Sequence, residues 1–200
     1  MSKTIDYYYS QISPWTYLGH DRLRALAEKY GATVNYRPVN HGEVFPRTGG
    51  LPLPKRSPER RAYRLQELAR WRDHLGIPLN IEPKHFPVAE WPAAGMVVAA
   101  GRAGADAGAL SGAFFRAVWV EERDISDADT LAAIATECGF DGAALLAEGS
   151  SDEVRALYDA QTEEAIARGV FGAPTYFYGD QQYWGQDRLE FLERALAKDA

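Results

Sequence analysis

A serine followed by a proline, Ser13-Pro14, stands directly after an aromatic segment and begins a segment with helical patterning. Serine is preferred immediately before a helix, and proline is favoured in the first turn because its missing N–H would be unpaired there anyway. A helix N-terminus also stabilises an anion, including a thiolate, through free N–H groups and a partial positive charge. A serine hydroxyl placed there can donate one further hydrogen bond to that anion. The motif alone favours the helix start over the anion site.

A second candidate is the proline of Gly172-Ala173-Pro174-Thr175, which precedes an aromatic segment typical of a strand. Proline at the start of a strand is unremarkable, because that position requires no N–H donor. A cis proline, in contrast, leaves the backbone of the preceding residue free to bind an extended peptide like an added strand. The choice between these interpretations depends on the elements that position the proline.

The beginning of the chain has the pattern of a β-α-β unit. Residues 4–9 (TIDYYY) and 32–39 (ATVNYRPV) are rich in β-branched and aromatic types and predict two strands. Between them, apolar residues recur at helical spacing from Pro14 to Tyr30, and Gly31 supplies a stop. Because a helical crossover joins the strands, we expect them to be parallel.

The end of the chain returns to strand-forming residues after Gly169. Residues 175–178 (TYFY) and 182–184 (QYW) flank the turn GDQ and predict a hairpin. Residues 187–198 then predict a final amphipathic helix.

The middle of the chain predicts helices and loops. Residues 40–59 hold four prolines and three glycines and predict an irregular loop. Residues 58–76 predict an amphipathic helix rich in arginine. Four further helices are predicted over residues 92–103, 108–122, 127–138 and 151–168.

This order of elements predicts an α/β protein with a thioredoxin-like fold and an inserted all-helical domain. We expect a discontinuous thioredoxin-like domain, residues 1–40 plus 169–200, and a helical domain over residues 41–168. In this topology Ser13 and Ala173-Pro174 meet although most of the chain separates them. A cis bond is expected before Pro174.

Composition and charge argue against several function classes. The net charge of −6, without a block of basic residues, makes nucleic acid an unlikely partner. Cys138 is the one cysteine, so no intramolecular disulfide or Cys-x-x-Cys pair can form, and a small buried packing residue is favoured there. The four histidines are scattered, so no metal is expected. Neither a signal peptide nor a bilayer span is visible, which makes a cytoplasmic protein the default and a membrane partner unlikely.

Three motifs in order resemble the DsbA-like thioredoxin superfamily: S-P-W-T after the first strand, G-V-F-G-A-P-T before the third, and YWGQDRLEFLERAL at the end. Within that superfamily, the chain resembles the branch of the 2-hydroxychromene-2-carboxylate isomerases and kappa-class glutathione transferases. The resemblance spans nearly the whole chain, including the RRAYRLQELARW helix and the HFP that follows.

The resemblance implies a glutathione site. Ser13 would hydrogen-bond the glutathione sulfur and hold it as a thiolate, with Pro14 and Trp15 in the same binding turn. Ala173, before Pro174, would pair its backbone with the cysteinyl part of glutathione.

The γ-glutamyl end of glutathione is expected at Gln186 and Asp187, with the Asp187 carboxylate facing the ammonium group and the helix N-terminus facing the carboxylate. Without the resemblance, Asp187 is equally well explained as a helix cap. One position departs from the family, which commonly has T-G-N after the second strand, with the asparagine on glutathione. This chain has Thr48-Gly49-Gly50, so Gly50 offers no side chain, and that contact is lost or supplied from elsewhere.

The helix over residues 58–76 leaves two interpretations of its arginines open. A solvated charged face is the default, whereas one or two of them facing a cleft would suit a substrate carboxylate. These arginines are Arg60, Arg61, Arg64, Arg70 and Arg72. An aromatic wall for a planar substrate is a further hypothesis, with Trp15, Tyr63, Phe86 and Trp91 as its members.

Because position 13 is serine, no mixed disulfide can form there, and the sulfur must come from a bound thiol. By resemblance, the leading hypothesis is a glutathione-dependent isomerase of 2-hydroxychromene-2-carboxylate, or of a similar aromatic-degradation intermediate, acting by reversible thiolate addition. A kappa-like glutathione transferase or peroxidase would use the same site. A non-catalytic peptide-binding thioredoxin module would use the cis-proline edge alone. The expected small molecules are glutathione and a small aromatic carboxylate, and the family suggests a homodimer.

Overall fold

A computed structural model describes residues 3–198. Within that range, four strands form one mixed sheet in the order β2-β1-β3-β4. The strands are β1 (Thr4–Tyr9), β2 (Thr33–Pro38), β3 (Thr175–Tyr178) and β4 (Gln181–Trp184). This is the thioredoxin-like sheet that the sequence predicts.

The β-α-β unit forms as its sequence predicts. Helix α1 (Pro14–Tyr30) connects β1 to β2, which pair in parallel. Gly31 ends the helix with φ 61°, a left-handed conformation that glycine adopts at little cost.

The antiparallel pairing of β1 with β3 brings distant parts of the chain together. Tyr8, near the end of β1, lies opposite Thr175, the first residue of β3. The loop that leaves β1 and the residues that enter β3 therefore lie at the same end of the sheet.

The inserted segment is helical and packs on both α1 and the sheet. Its helices are α2 (His41–Thr48), α3 (Pro58–Leu75), α4 (Trp91–Arg102), α5 (Ala107–Trp119), α6 (Ala128–Glu137), α7 (Gly142–Gly149) and α8 (Asp152–Ala167). The last element within the described residues is α9 (Leu189–Lys198), which follows a single 3-10 turn over Gln186–Arg188. The division into two domains stays a prediction, and its residues 1–2 and 199–200 lie outside the described residues.

The prediction of an irregular loop over residues 40–59 is wrong in its first part. Helix α2 forms there with Pro46 inside it. The Asn40 side chain accepts a hydrogen bond from Gly42 N at 3.0 Å, and Gly49 ends the helix in the left-handed region. A cap at each end stabilises this short helix although Pro46 removes one internal donor. A 3-10 turn over Leu53–Lys55 follows it.

The sequence pattern does not predict helix α7, because its glycines lower the helix propensity of the segment. A Cβ on Gly142 would lie 2.0 Å from the carbonyl oxygen of Ala132, and one on Gly149 would lie 2.7 Å from Met96 N. The glycines therefore permit close approach of α7 to α6 and α4, although glycine lowers helix propensity. Tertiary packing outweighs local propensity in this segment.

The core joins the sheet to the inserted helices through aromatic side chains. Tyr7 stacks on Tyr9 with ring centroids 4.4 Å apart and on Tyr176 at 5.2 Å. Tyr9 also meets Phe115 of α5 edge to face at 5.8 Å. This continuous aromatic packing fixes the distance between α5 and β1. The contact lies next to the end of β1, after which the chain continues to Ser13.

No helix within residues 3–198 is both long enough and apolar enough to cross a membrane.

Candidate active site

Ser13 caps helix α1 and retains a hydrogen-bond donor. Its Oγ accepts a hydrogen bond from Thr16 N at 3.2 Å, and its backbone N donates to Ser10 O at 3.1 Å. Capping uses a lone pair of the hydroxyl oxygen, so the hydroxyl hydrogen remains free to donate. The helix start and the anion site are therefore compatible functions of one half-buried side chain.

The loop before Ser13 is fixed by a carboxylate of the inserted segment. Glu90, at the start of α4, accepts hydrogen bonds through Oε2 from Ser10 Oγ at 2.8 Å and from Gln11 N at 2.7 Å. On the other side of the loop, Gln11 Nε2 donates to the Ser111 carbonyl of α5 at 3.0 Å. Two inserted helices thus set the position of Ser13.

Glu90 has an unusual ionisation. Burial raises the pKa of its carboxyl to about 7, against the hydrogen bonds from Ser10 and Gln11, which favour the charged form. The Glu90 carboxyl, which holds the loop before Ser13 and is called the Glu90 clamp below, therefore changes protonation near neutral pH.

The peptide bond between Ala173 and Pro174 is cis. Gly185 N donates to Pro174 O at 2.9 Å, and Thr175 Oγ1 donates to Gly172 O at 2.8 Å. Among residues 3–198, neither the N–H nor the C=O of Ala173 has a hydrogen-bond partner. Because Ala173 is half-buried, these two groups are available for an extended ligand.

A cavity of about 280 Å³ lies beside these groups. Two of its walls come from Trp15 at the start of α1 and from Glu67 and Trp71 on α3. The other lining residues are Ala173, Trp184, Gly185, Gln186, Asp187 and Arg188. Elements from both ends of the chain and from the insertion therefore meet around one cavity.

Four of the predicted site residues line this cavity: Trp15, Ala173, Gln186 and Asp187. Ser13, Pro14 and Pro174 are not in its lining. Pro14 and Pro174 directly adjoin Trp15 and Ala173 in the chain, and Ser13 is one residue further from Trp15.

Gly50 is not brought to the cavity. Its N–H donates to Phe45 O at 2.9 Å, and a Cβ at this position would lie 2.4 Å from Cδ1 of Phe45. The Phe45 ring occupies the space that a side chain at position 50 would need. The role expected there for a family asparagine has no counterpart at Gly50.

Gln186 and Asp187 differ in what they offer. The buried Gln186 accepts from Arg22 Nη1 through Oε1 at 2.6 Å, which ties the C-terminal segment to α1. Asp187 is exposed on the cavity wall and pairs with Arg188 at 2.7 Å. Asp187 is therefore the carboxylate available to a ligand, and Gln186 mainly positions it.

Sequence reasoning missed Glu67, Trp71, Trp184 and Arg188. The spacing of Glu67 and Trp71 on α3 was the available signal, because residues four apart share one helix face. Of the four aromatic residues in the hypothesis of an aromatic wall, only Trp15 lines this cavity. Of its other members, Trp91 packs on Tyr158 with ring centroids 5.1 Å apart, Phe86 packs on Trp119 at 4.8 Å, and Tyr63 is exposed.

Cys138 contributes nothing to this cavity. It is half-buried rather than fully buried, at the end of α6, and burial raises the pKa of its thiol.

A larger groove of about 500 Å³ runs along β2, but its arginines are already paired within the protein. There Arg37 pairs with Asp6 and Glu164, and Arg102 pairs with Glu148 and Glu153.

Comparison with known proteins places these features in a family. The DSBA-like thioredoxin domain family matches residues 4–197. A 2-hydroxychromene-2-carboxylate isomerase of Sphingobium xenophagum is 33% identical over 98% of this chain and 99% of its own.

Two further relatives cover the chain equally well. A solved structure of a selenomethionine 2-hydroxychromene-2-carboxylate isomerase superposes with a TM-score of 0.82 at 33% identity, over 98% of this chain and 95% of that one. Human glutathione S-transferase kappa 1 is 25% identical over 99% of this chain and 92% of its own.

The Glu90 clamp predicts a pH dependence of stability. The folded pKa of about 7 lies above the ordinary 4.5, so the folded state binds this proton more tightly than the unfolded state. Relative to a Glu90→Gln variant, the wild-type protein is most stable below pH 4.5 and loses stability as the pH rises to about 7, by about 1.4 kcal/mol per pH unit.

Urea unfolding at several pH values measures this difference. Glu82→Gln, which changes an exposed glutamate, is the control and should follow the wild type. Parallel pH curves for wild type and Glu90→Gln would contradict the raised pKa.

Proposed function

Because this chain belongs to the DsbA-like thioredoxin family, in the branch of the 2-hydroxychromene-2-carboxylate isomerases and kappa-class glutathione transferases, we propose that it is a glutathione-dependent isomerase. Its substrate is 2-hydroxychromene-2-carboxylate or a similar small aromatic carboxylate. The observation that carries the proposal is a cavity lined by an unbonded backbone segment and an exposed carboxylate, with the Ser13 donor two residues along the chain from its lining residue Trp15.

The groups around the cavity fit the parts of glutathione. The unbonded N–H and C=O of Ala173 suit the cysteinyl part, which would pair with them as an added strand does. The exposed Asp187 carboxylate suits the γ-glutamyl ammonium group, beside Arg188 for the neighbouring carboxylate. A tripeptide held by Ala173 then directs its sulfur toward the start of α1.

Ser13 and the start of α1 provide the electrostatics. The Ser13 hydroxyl donates to the sulfur while its oxygen continues to cap the helix, and the helix dipole favours negative charge at the same place. A free thiol has a pKa of about 8.5, and each unit by which a site lowers it stabilises the thiolate by about 1.4 kcal/mol.

Bound glutathione supplies a nucleophilic thiolate that can add reversibly to a conjugated substrate. The chain has no cysteine at this position, so its own residues bind, orient and polarise rather than react. Trp15, Trp71 and Trp184 give the cavity the flat apolar surface that suits a planar aromatic compound.

A kappa-like glutathione transferase is the alternative function, supported by the human relative and by the same thiolate site. The isomerase is favoured because the relative at 33% identity carries that name over nearly its full length. Two absorbance assays separate these functions: one follows isomerisation of the chromene carboxylate, and the other follows conjugation of glutathione to chlorodinitrobenzene. Conjugation without isomerisation would reject the isomerase.

Ser13→Ala tests the role of the hydroxyl in catalysis. We expect the rate of glutathione-dependent isomerisation to fall by roughly 100-fold or more, as when one donor to a developing anion is removed. The lost helix cap costs only about 1 kcal/mol of stability.

Ser151→Ala is the matched control. Ser151 caps α8 by accepting from Val154 N at 3.3 Å, outside the cavity lining. This variant should lose a similar stability and keep its full rate. An unchanged rate in Ser13→Ala, or an equal loss in Ser151→Ala, would refute the proposed role of Ser13.

Calorimetric titration with glutathione tests the binding site directly. We expect saturable binding in wild type and about tenfold weaker binding in Asp187→Asn, because the ammonium group loses its counter-charge. Asp180→Asn, in the turn between β3 and β4, is the control and should bind as wild type does. Absence of binding at millimolar glutathione would reject both enzyme functions and leave the peptide-binding module.

A further inference from the structure

We propose that Arg56 and Arg64 form a binding site for the carboxylate of the aromatic acid substrate, an inference that rests on the proposed function. Both side chains are half-buried: Arg56 follows the 3-10 turn that precedes α3, and Arg64 lies on α3 over the ring of Phe86.

The charge around these two arginines is not balanced by the protein. Among the salt bridges of residues 3–198, none includes Arg56 or Arg64, whereas Arg70 and Arg72 of the same helix pair with Glu67 and Asp73. Half-buried charges are usually paired, because desolvation without a counter-charge is costly. An anion that enters this place would remove the imbalance.

Neighbouring positive charges add to the cost of burying these two guanidinium groups. Burial, and secondly the nearby charge of Arg56, lowers the pKa of Arg64 to about 10. Burial and the charge of Arg60 lower the pKa of Arg56 in the same direction. Positive charge is therefore concentrated at this place, within a protein whose net charge is −6.

Arg56 and Arg64 are held in place by neutral groups. Arg56 Nε donates to the Leu51 carbonyl at 2.8 Å, which leaves its terminal nitrogens to other partners. The guanidinium carbon of Arg64 lies 5.4 Å from the centre of the Phe86 ring. Planar guanidinium groups fixed in this way can bind a carboxylate through two parallel hydrogen bonds.

The spacing along α3 connects Arg64 to the cavity. Arg64, Glu67 and Trp71 follow the i, i+3, i+7 pattern of one helix face, and the latter two line the cavity. Arg64 therefore continues this wall by three residues, about 4.5 Å along the helix axis.

A second connection runs through the chain segment before α4. Phe86, under Arg64, is four residues from Glu90, so their Cα atoms are at most about 14 Å apart. Glu90 binds Ser10 and Gln11, directly before Ser13. Arg64 thus adjoins the α3 wall of the cavity, and a short chain segment connects the Phe86 ring beneath it to the residue that holds the loop before Ser13. A planar acid that lies along the α3 wall would place its carboxylate at the arginines.

Equilibrium binding of 2-hydroxycinnamate and of its methyl ester, followed by tryptophan fluorescence, tests this inference without turnover. Wild type should bind the acid more tightly than the ester. Arg64→Met should weaken binding of the acid by about tenfold or more and leave the ester unchanged, because only the acid carries the charge. Arg56→Met should have the same acid-specific effect and provides a second variant if Arg64→Met does not fold.

Arg61→Met is the matched control, since Arg61 is exposed on the same helix and likewise belongs to no salt bridge within residues 3–198. It should bind acid and ester as wild type does. Equal affinity of wild type for acid and ester, or an equal effect of Arg61→Met, would overturn the inference.

Glutathione also carries a carboxylate that the two arginines could bind. Titration of the same variants with glutathione distinguishes this possibility from binding of the aromatic acid. The affinity for glutathione should be unchanged in Arg64→Met and Arg56→Met. Weaker glutathione binding with unchanged acid binding would assign the pair to the glycyl carboxylate of glutathione and overturn the inference. If wild type binds no glutathione but still discriminates acid from ester, the proposed function fails and the carboxylate site stands.

Discussion

The antiparallel pairing of β1 with β3 determines where a site can form in this protein. Because Tyr8 lies opposite Thr175, the turn that starts α1 and the Ala173-Pro174 bond must lie at one end of the sheet. A shift of register by one residue would turn every side chain of β3 to the other face of the sheet. The stacking of Tyr7 between Tyr9 and Tyr176 opposes such a shift.

The inserted helices take part in this arrangement. Glu90, directly before α4, and Ser111 of α5 hold the loop before Ser13 from two sides, and α3 supplies a wall of the cavity. The C-terminal segment closes the cavity because Gly19 allows it to approach α1: a Cβ there would lie 2.9 Å from Cβ of Gln186. The site therefore depends on contacts between parts of the chain that are far apart in sequence.

Much of this could be predicted from sequence where local rules are strong. The strands, α1 and the placement of Ser13 and Ala173 at one end of the sheet follow from periodicity, capping and the handedness of the β-α-β unit. Asp187 and Gln186 followed from the family resemblance, and both line the cavity. The separate roles of Gln186 and Asp187 could be assigned only from the structure, because the partner of Gln186 is Arg22, on a distant helix.

The remaining features depend on packing that no local pattern encodes. Helix α2 forms in spite of Pro46, and α7 forms in spite of its glycines, because caps and close helix contacts outweigh propensity. Gly50 is covered by Phe45, and Arg64 lies over Phe86.

The proposed glutathione thiolate site is tested most directly by the pKa of the glutathione thiol bound to the protein, measured by the ultraviolet absorbance of the thiolate. If Ser13 and the start of α1 hold the sulfur as a thiolate, this pKa is clearly below the free value of about 8.5. A pKa at or above the free value would contradict it.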